Sequence, residues 1–136
     1  MREALSRTAT SPVLVVAFTR HEITAVRHAV ARRAAGAGLA GDRLHDFVLA
    51  VHEIVTNAVV HGGGRGELRM WEAGQTVECE ITDLGAGGAV EVHEELPLEA
   101  GRRGLRLARL LVDRLEVIES ATGTAVRLMS AAPMVT

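Results

Sequence analysis

Residues 46–62 read Asp46-Phe-Val-Leu-Ala-Val-His-Glu-Ile-Val-Thr-Asn-Ala-Val-Val-His-Gly62, and this stretch decides the fold. Its apolar residues recur at the helical spacing that places them on one face of an α-helix. That face consists of Phe47, Val51, Ile54, Val55, Ala58 and Val59. Beside it, Glu53, Asn57 and His61 stack along two helical turns. Asn and His are poor helix formers, so something other than helix propensity could have selected them. A solvated edge of an amphipathic helix is the alternative.

The composition indicates one globular domain over residues 1–136, with an ordered core from about 12 to 130. A chain of 136 residues with 48% hydrophobic residues can bury a core without metals or disulfides. With 2% aromatics and a net charge of −2, direct binding of nucleic acid is not expected. The single cysteine, Cys79, excludes an intramolecular disulfide and a cysteine zinc cluster. The N-terminus has no leader pattern and no apolar run is long enough to span a membrane, so we expect a soluble cytoplasmic protein.

The rest of the chain predicts a succession of strands and helices. Strands are expected at 12–19, 67–72, 76–82, 115–119 and 124–130, and helices from Arg20 to Gly36 or Gly38, from after Asp42 to about His61, and from Gly101 to about Val112. Residues 89–101 are acidic and irregular, and we expect a loop there of the kind that often forms a lid. This order predicts a two-layer α/β sandwich, with helices on one face of a mixed, mostly antiparallel sheet.

One motif is a false lead. Gly36-Ala-Gly-Leu-Ala-Gly41 matches the dinucleotide fingerprint G-x-G-x-x-G. That fingerprint binds a pyrophosphate only where a strand precedes it and a helix begins within it. Here a helix precedes it, and Asp42 is the expected N-cap of the next one. We interpret the motif as a helix end and a linker.

Two glycine-flanked segments extend the candidate site. Asp83 ends a predicted strand and is followed by Gly85 and Gly87, so a flat ligand could lie against bare backbone while the carboxylate accepts from an exocyclic amine such as that of adenine. A tight turn capped by Asp83 is the alternative. Gly101-Arg-Arg-Gly-Leu105 opens a helix, whose free N–H groups suit phosphate. A solvated, arginine-rich helix start is the alternative there.

The neighbouring polar residues would complete such a site. Arg102 and Arg103 add charge-assisted hydrogen bonds to a phosphate. Asn57 supplies a neutral oxygen suited to Mg²⁺, and Glu53 could orient or deprotonate a hydroxyl that attacks the γ-phosphate.

Four segments, in this order, resemble the motifs of the Bergerat-fold ATPases, the group that includes gyrase, heat-shock chaperones and histidine kinases. Residues 53–62 resemble its N-box, residues 83–87 its adenine-binding G1 box, and residues 101–105 its G2 box. Gly123-Thr-Ala-Val-Arg-Leu128 resembles the final strand, whose Thr lies near the adenine. The resemblance covers nearly the whole chain, from Pro12 to Met129.

Within that group, the sequence of residues 57–62, Asn-Ala-Val-Val-His-Gly, is most similar to that of the bacterial anti-sigma-factor serine kinases. The resemblance implies a protein that binds ATP·Mg²⁺, holds a sigma factor, and phosphorylates a serine or threonine of an anti-anti-sigma partner. It implies Glu53 as the base, Asn57 on Mg²⁺ and Asp83 on the adenine amine. It further implies that Gly85, Gly87, Gly101 and Gly104 shape the pocket, that Arg103 approaches phosphate and that Thr124 assists at the base. We also expect Arg102 and Leu105 at the nucleotide. Position 102 departs from the family, which commonly has a second Gly there.

Several alternatives stay open at this stage. The chain could be an active kinase, a nucleotide-binding module that traps a partner without kinase turnover, or an α/β domain that no longer binds nucleotide. His61 could line the phosphate end of the site or cap the helix. Homodimerisation is common in the resembled family, but no stretch of the sequence demonstrates it.

Overall fold

The chain folds into three α-helices and six β-strands in the part that can be described. The computed structural model describes residues 11–61, 63–83, 91–93, 103–120 and 123–132, and only the backbone at 91–93, 103 and 120. The helices are α1 (Ile23–Gly36), α2 (Gly41–His61) and α3 (Arg103–Leu111). The strands are β1 (Leu14–Thr19), β2 (Arg65–Ala73), β3 (Thr76–Asp83), β4 (Glu91–His93), β5 (Arg114–Ser120) and β6 (Gly123–Ala131). A 3₁₀ turn, Arg20–Glu22, joins β1 to α1.

The six strands form one sheet in the order β1-β2-β3-β6-β5-β4. Each of the described neighbouring pairs is antiparallel. The predicted two-layer α/β sandwich is confirmed. The sheet was predicted to be mixed and mostly antiparallel, and all strand pairs among the described residues are antiparallel. The predicted hairpin around Gly74 is also confirmed, since Ala73 pairs with Thr76 and Gly74 takes a φ of +64°, which glycine adopts freely.

The strand register collects apolar side chains on one face of the sheet. Two rows cross it, Leu14-Met70-Cys79-Leu128-Leu115 and Val16-Leu68-Ile81-Val126-Val117. Apart from the β1 members, which are partly buried, these residues are buried in the core. Each buried side chain of this size contributes about 1.5–3 kcal/mol of hydrophobic stabilisation. The alternation along the strands therefore fixes which face the helices cover.

Helix α2 covers the centre of that face, in contact with β2, β3 and β6. Phe47, Val51, Ile54, Val55 and Ala58 are buried, as the periodicity predicts, and Val59 is partly buried. Helix α1 packs against β1 and α2, and α3 packs against α2 and β5. In the described part of the chain, no helix combines the length and the apolar character needed to cross a membrane.

The opposite face of the sheet carries charged side chains. On β6, the Arg127 guanidinium lies 3.0 Å from a Glu80 carboxylate oxygen on β3 and 3.8 Å from Glu116 on β5. Opposite charges on neighbouring strands are favourable in water and costly to bury under a second layer. The sandwich accordingly has two layers.

Two details differ from the sequence prediction. Helix α2 begins at Gly41, so Asp42 lies within its first turn and is not the N-cap; the Ala40 carbonyl accepts the first helical bond, from the Leu44 N–H. Asp42 still suits the helix, because a carboxylate in the first turn is stabilised by the helix dipole. The interpretation of 36–41 as a helix end and linker is confirmed, since α1 ends at Gly36.

The second difference concerns the expected loop at 89–101. Residues Glu91–His93 form a short strand, β4, which pairs with β5 through Val92 and Ile118. Three residues are too few to produce a readable alternation in the sequence. The rest of that segment lies outside the described residues.

The only cysteine lies at the centre of the sheet. Cys79 is fully buried on β3 and carries a free thiol. Burial, followed by the nearby Glu78 charge, raises the pKa of the Cys79 thiol well above its usual range. The thiol therefore behaves as a small core residue and not as a nucleophile.

Hydrogen bonds of the Arg43 side chain connect α2 to the sheet. Arg43 donates from Nη2 to Asp113 Oδ2 at 2.6 Å and from Nε to the Ala131 carbonyl at 2.7 Å. The Ala131 N–H donates to the same Asp113 oxygen at 2.9 Å. Partial burial raises the pKa of Asp113, but the hydrogen bond from Ala131 and the Arg43 guanidinium together lower it below its ordinary value.

Asp113→Asn should lower the free energy of unfolding at pH 7 by roughly 1 kcal/mol, because the pair is partly exposed and screened by solvent. The wild-type contribution is present above about pH 4 and is lost as the pH falls through the lowered pKa of Asp113. In urea denaturation between pH 7 and pH 3, the difference in the free energy of unfolding between the wild type and Asp113→Asn should shrink as the pH falls. Glu72→Gln is the control. An equally large difference in stability at pH 3 would contradict a stabilising role for the charged form of Asp113.

Candidate functional site

The first turn of α3 lies directly against the polar flank of α2. A Cβ built on Gly104 would come within 3.0 Å of Glu53 Oε1, 3.1 Å of Asn57 Nδ2 and 3.2 Å of Asn57 Oδ1. Glycine is therefore the residue that allows the two helices to approach at this point. The structure brings three sequence-predicted site residues, Glu53, Asn57 and Gly104, into one cluster.

The Asn57 side chain in this cluster has an unsatisfied donor. Its Nδ2 atom is buried and makes no hydrogen bond, and Glu53 and Asn57 are both half-buried. On the same helix, His52 Nδ1 and Thr56 Oγ1 are also buried without a partner. A buried polar group left unpaired costs about 1–3 kcal/mol. Buried groups of this kind in a native structure call for an explanation, and a ligand that accepts a hydrogen bond would provide one.

A second cluster forms where β3 ends beside the start of β6. The Thr124 N–H points at Asp83 Oδ1, at a long 3.4 Å. Gly123 has a φ of +136°, and a Cβ there would lie 2.4 Å from the Asp83 carbonyl oxygen. Asp83 lies two residues after the buried Ile81 on β3, and Thr124 lies two residues before the buried Val126 on β6. Because every second residue of a strand faces the same side, both side chains belong to the helix-covered face.

Both clusters lie at the same end of the sheet. Helix α2 ends at His61, and β2 starts at Arg65, a few residues later. Because Gly66 pairs with Asp83, the carboxyl end of β3 lies close to the carboxyl end of α2. Asn57 is one helical turn before His61 and faces α3. Three segments far apart in sequence thus converge on one edge of the helix-covered face.

The remaining predicted site residues are either outside the described part of the chain or only partly described, or they lie in the core or at the surface. Gly85, Gly87, Gly101 and Arg102 lie outside the described residues. Arg103 is the first residue of α3, and its backbone alone is described. The Leu105 side chain is buried in the core, so only its backbone could face a ligand. His61 is the exposed last residue of α2.

The cluster of Glu53, Asn57 and Gly104 offers few side chains that could bind a metal ion. Within the described residues, no three His, Cys, Asp or Glu side chains converge on a common point. Asn57 is the neutral oxygen donor closest to the start of α3. Two clefts, of about 330 and 430 Å³, open elsewhere, beside Arg109 and Arg114 and beside Leu14 and Arg32.

The structural role of two glycines was missed by sequence reasoning. A Cβ on Gly66 would lie 2.6 Å from the Thr82 carbonyl oxygen and 2.8 Å from Phe18 Cζ. Gly123 is equally constrained against Asp83. The available signal was a glycine inside or at the end of a predicted strand, which often marks a close backbone approach.

Gly123→Ala should destabilise the fold by roughly 2–4 kcal/mol, because an L side chain at this φ is strained and its Cβ would collide with backbone. Gly36→Ala is the matched control, since a Cβ there meets nothing within 4 Å. It should be neutral or slightly stabilising in the same thermal and urea denaturation experiments. Equal stability of the two variants would contradict the close approach of the Asp83 backbone to Gly123.

Comparison with known proteins agrees with this geometry. The family model of the histidine kinase-like ATPase domain matches residues 16–130. The chain is similar to the solved RsbU and RsbW domains of Rv1364c from Mycobacterium tuberculosis, with a TM-score of 0.62 and 22% identity. That match covers 92% of this chain and 35% of the other, so the chain spans about a third of that structure, and at this identity the likeness shows the fold alone.

The comparison with curated proteins gives no match. The family model nevertheless covers most of the sequence, including the segments 53–62 and 123–128 on which the resemblance rests. The chain belongs to the family of histidine kinase-like ATPase domains.

Proposed function

We propose that this chain binds ATP and Mg²⁺ and acts as a serine/threonine protein kinase, phosphorylating an anti-anti-sigma protein and sequestering a sigma factor. The observation that carries the proposal is the contact of Gly104 with Glu53 and Asn57. It joins a helix N-terminus, a carboxylate and an unsatisfied amide at one point. This is the combination that phosphoryl transfer needs, because the chemistry depends on positioning and charge stabilisation.

The adenine end of the site would be the Asp83 cluster. The carboxylate lies at the end of β3 on the helix-covered face, held near the backbone of Thr124. A carboxylate in that position can accept from the exocyclic amine of adenine. In the sequence, the absent side chains at Gly85 and Gly87 would leave backbone exposed to a flat base.

The phosphate end would be the start of α3. Its first turn has N–H groups without an intrahelical acceptor and the positive end of the helix dipole, which favour an anion. When bound, ATP·Mg²⁺ would supply the phosphoryl group, and the metal would offset the phosphate charge. Asn57 would contribute a neutral oxygen to that metal and, through its unpaired Nδ2, a donor to a phosphate oxygen. Arg103 would bring a cation to the same anion.

Glu53 would act on the attacking hydroxyl. Its carboxylate lies one helical turn before Asn57, beside the first turn of α3. From there it would accept the proton of a serine or threonine hydroxyl as that oxygen bonds to the γ-phosphorus and the bond from this phosphorus to the β–γ bridging oxygen breaks, releasing ADP. The side chain is half-buried, with Oε1 beside the first turn of α3.

The partners come from the resemblance to anti-sigma-factor kinases and from the RsbW domain named in the structural comparison. The sigma factor and the anti-anti-sigma protein are therefore proposed as a class, together with a cytoplasmic location and homodimerisation of this chain.

A nucleotide-binding module without kinase turnover is the second candidate. The close packing at Gly104, with no room for a Cβ, means that phosphate must displace side chains or shift α3 before it can bind beside Asn57. Arg102, in place of the glycine common in the family, adds bulk at the same helix start. Tight partner binding without phosphotransfer would select this candidate.

Asp83→Asn should weaken ATP·Mg²⁺ binding by about tenfold or more, because the neutral amide is a weaker acceptor for the adenine amine. Isothermal titration calorimetry measures the change directly. Asp42→Asn, at the exposed start of α2, carries the same change of charge and should bind like the wild type. Absence of heat with the wild type at millimolar ATP would refute the nucleotide site.

Glu53→Gln should reduce phosphotransfer by roughly 10²–10⁴-fold while nucleotide binding is largely kept, because the amide cannot accept the hydroxyl proton. The assay uses radiolabelled ATP with a matched anti-anti-sigma protein, followed by identification of phosphoserine or phosphothreonine. Glu53→Ala should behave similarly, and Glu72→Gln is the control. Unchanged transfer in both Glu53 variants would remove that residue from the base role.

A further inference from the structure

The segment from Arg20 to Gly36 has an outer surface that is strongly basic. It contains four arginines, Arg20, Arg27, Arg32 and Arg33, and one acidic residue, Glu22. Glu22 is already engaged, because its Oε1 accepts from the Thr19 N–H at 2.7 Å and from the Thr19 hydroxyl at 2.8 Å. Arg32 and Arg33 are exposed and form no ion pair among the described residues.

A cleft separates this basic surface from β1. Its volume is about 430 Å³, and it is lined by Leu14, Ala29, Arg32 and Arg33. One wall is thus apolar strand and helix surface, and the other carries two guanidinium groups. A chain with a net charge of −2 concentrates unbalanced positive charge here, which favours an acidic ligand.

The strand beside the cleft is open along one side. In the described part of the sheet, β1 pairs with β2 alone and occupies the end of the strand order. Its sequence, Leu14-Val-Val-Ala-Phe-Thr19, is apolar and lacks the charges that usually protect an exposed edge. Val15 faces away from the helices and is 50% exposed. Such an edge is a template for an added strand.

We propose that the edge of β1, together with the cleft beneath α1, binds an extended acidic segment of a partner protein by strand addition. Side chains of an added strand would alternate between the two faces of the sheet. Those on the helix side would lie beside Leu14 and reach Arg32 and Arg33. Those on the open side would lie beside Val15 and Ala17. The site therefore selects a segment in which acidic and apolar residues alternate.

An acidic polypeptide fits this surface better than nucleic acid does. A duplex needs a broad array of cations along its phosphates, whereas Arg32 and Arg33 converge on a single cleft with an apolar wall. A peptide strand can pair with the outer edge of β1 along its length, whereas a duplex offers no strand that could do so. The surface is also built from elements other than the Glu53 and Asp83 clusters, so binding there requires no nucleotide.

The test uses a fluorescein-labelled peptide of about ten alternating glutamate and valine residues, measured by anisotropy against the full chain without nucleotide. Comparison probes are a lysine–valine peptide of equal length, two versions N-methylated on the glutamate or on the valine nitrogens, and a short DNA duplex. The protein variants are Arg32→Glu/Arg33→Glu and the milder Arg32→Gln/Arg33→Gln. The control is Arg106→Glu/Arg109→Glu, with two exposed arginines on α3.

The proposal predicts binding of the glutamate–valine peptide and not of the lysine–valine peptide. Affinity should fall by about tenfold or more in Arg32→Glu/Arg33→Glu, by less in the glutamine variant, and little in the control. One of the two N-methylated peptides should lose binding, because strand addition uses one edge of the peptide backbone. Absence of binding, equal losses in the control, or full binding of both methylated peptides would overturn the proposal. Tighter binding of DNA, sensitive to the same arginines, would overturn it in favour of nucleic acid.

Discussion

The burial of one face of α2 against the sheet is the constraint on which the rest of the structure depends. Phe47, Val51, Ile54 and Val55 are almost wholly inaccessible to water, and together they fix the rotation of the helix about its own axis. Once that rotation is set, residues on the flank toward α3 have no freedom to turn elsewhere. The hydrophobic core thereby positions polar groups that take no part in it.

The proximity of α3 to that flank is the second consequence. Leu105 and Ala108 anchor α3 in the same core, so its first turn is held against α2 by apolar packing on both helices. The polar contact at Gly104 would be weak if it had to hold the helices together by itself. Because apolar packing holds the two helices together, the contact keeps its geometry although Asn57 Nδ2 has no hydrogen-bond partner.

Much of this could be predicted from the sequence, because periodic patterns report directly which face is buried. The apolar spacing of α2 and the alternation of β3 gave correct elements, and four ordered motifs indicated the family. The short β4 carries too few residues for a pattern, and the start of α2 at Gly41 depends on which carbonyl accepts the first bond. The contacts of Gly104 and Gly123 arise only when distant segments pair, so spacing along the chain cannot reveal them. The same holds for the cleft between β1 and α1.

The position of Cys79 has a practical consequence. As the only cysteine, buried at the centre of the sheet with a raised pKa, it leaves the folded surface without a reactive thiol of its own. A cysteine introduced at an exposed position such as Leu110 would therefore be the sole group to react with a maleimide dye under native conditions. The wild-type framework is thus suited to site-selective labelling for fluorescence or spin-resonance work, with no need to replace a core residue.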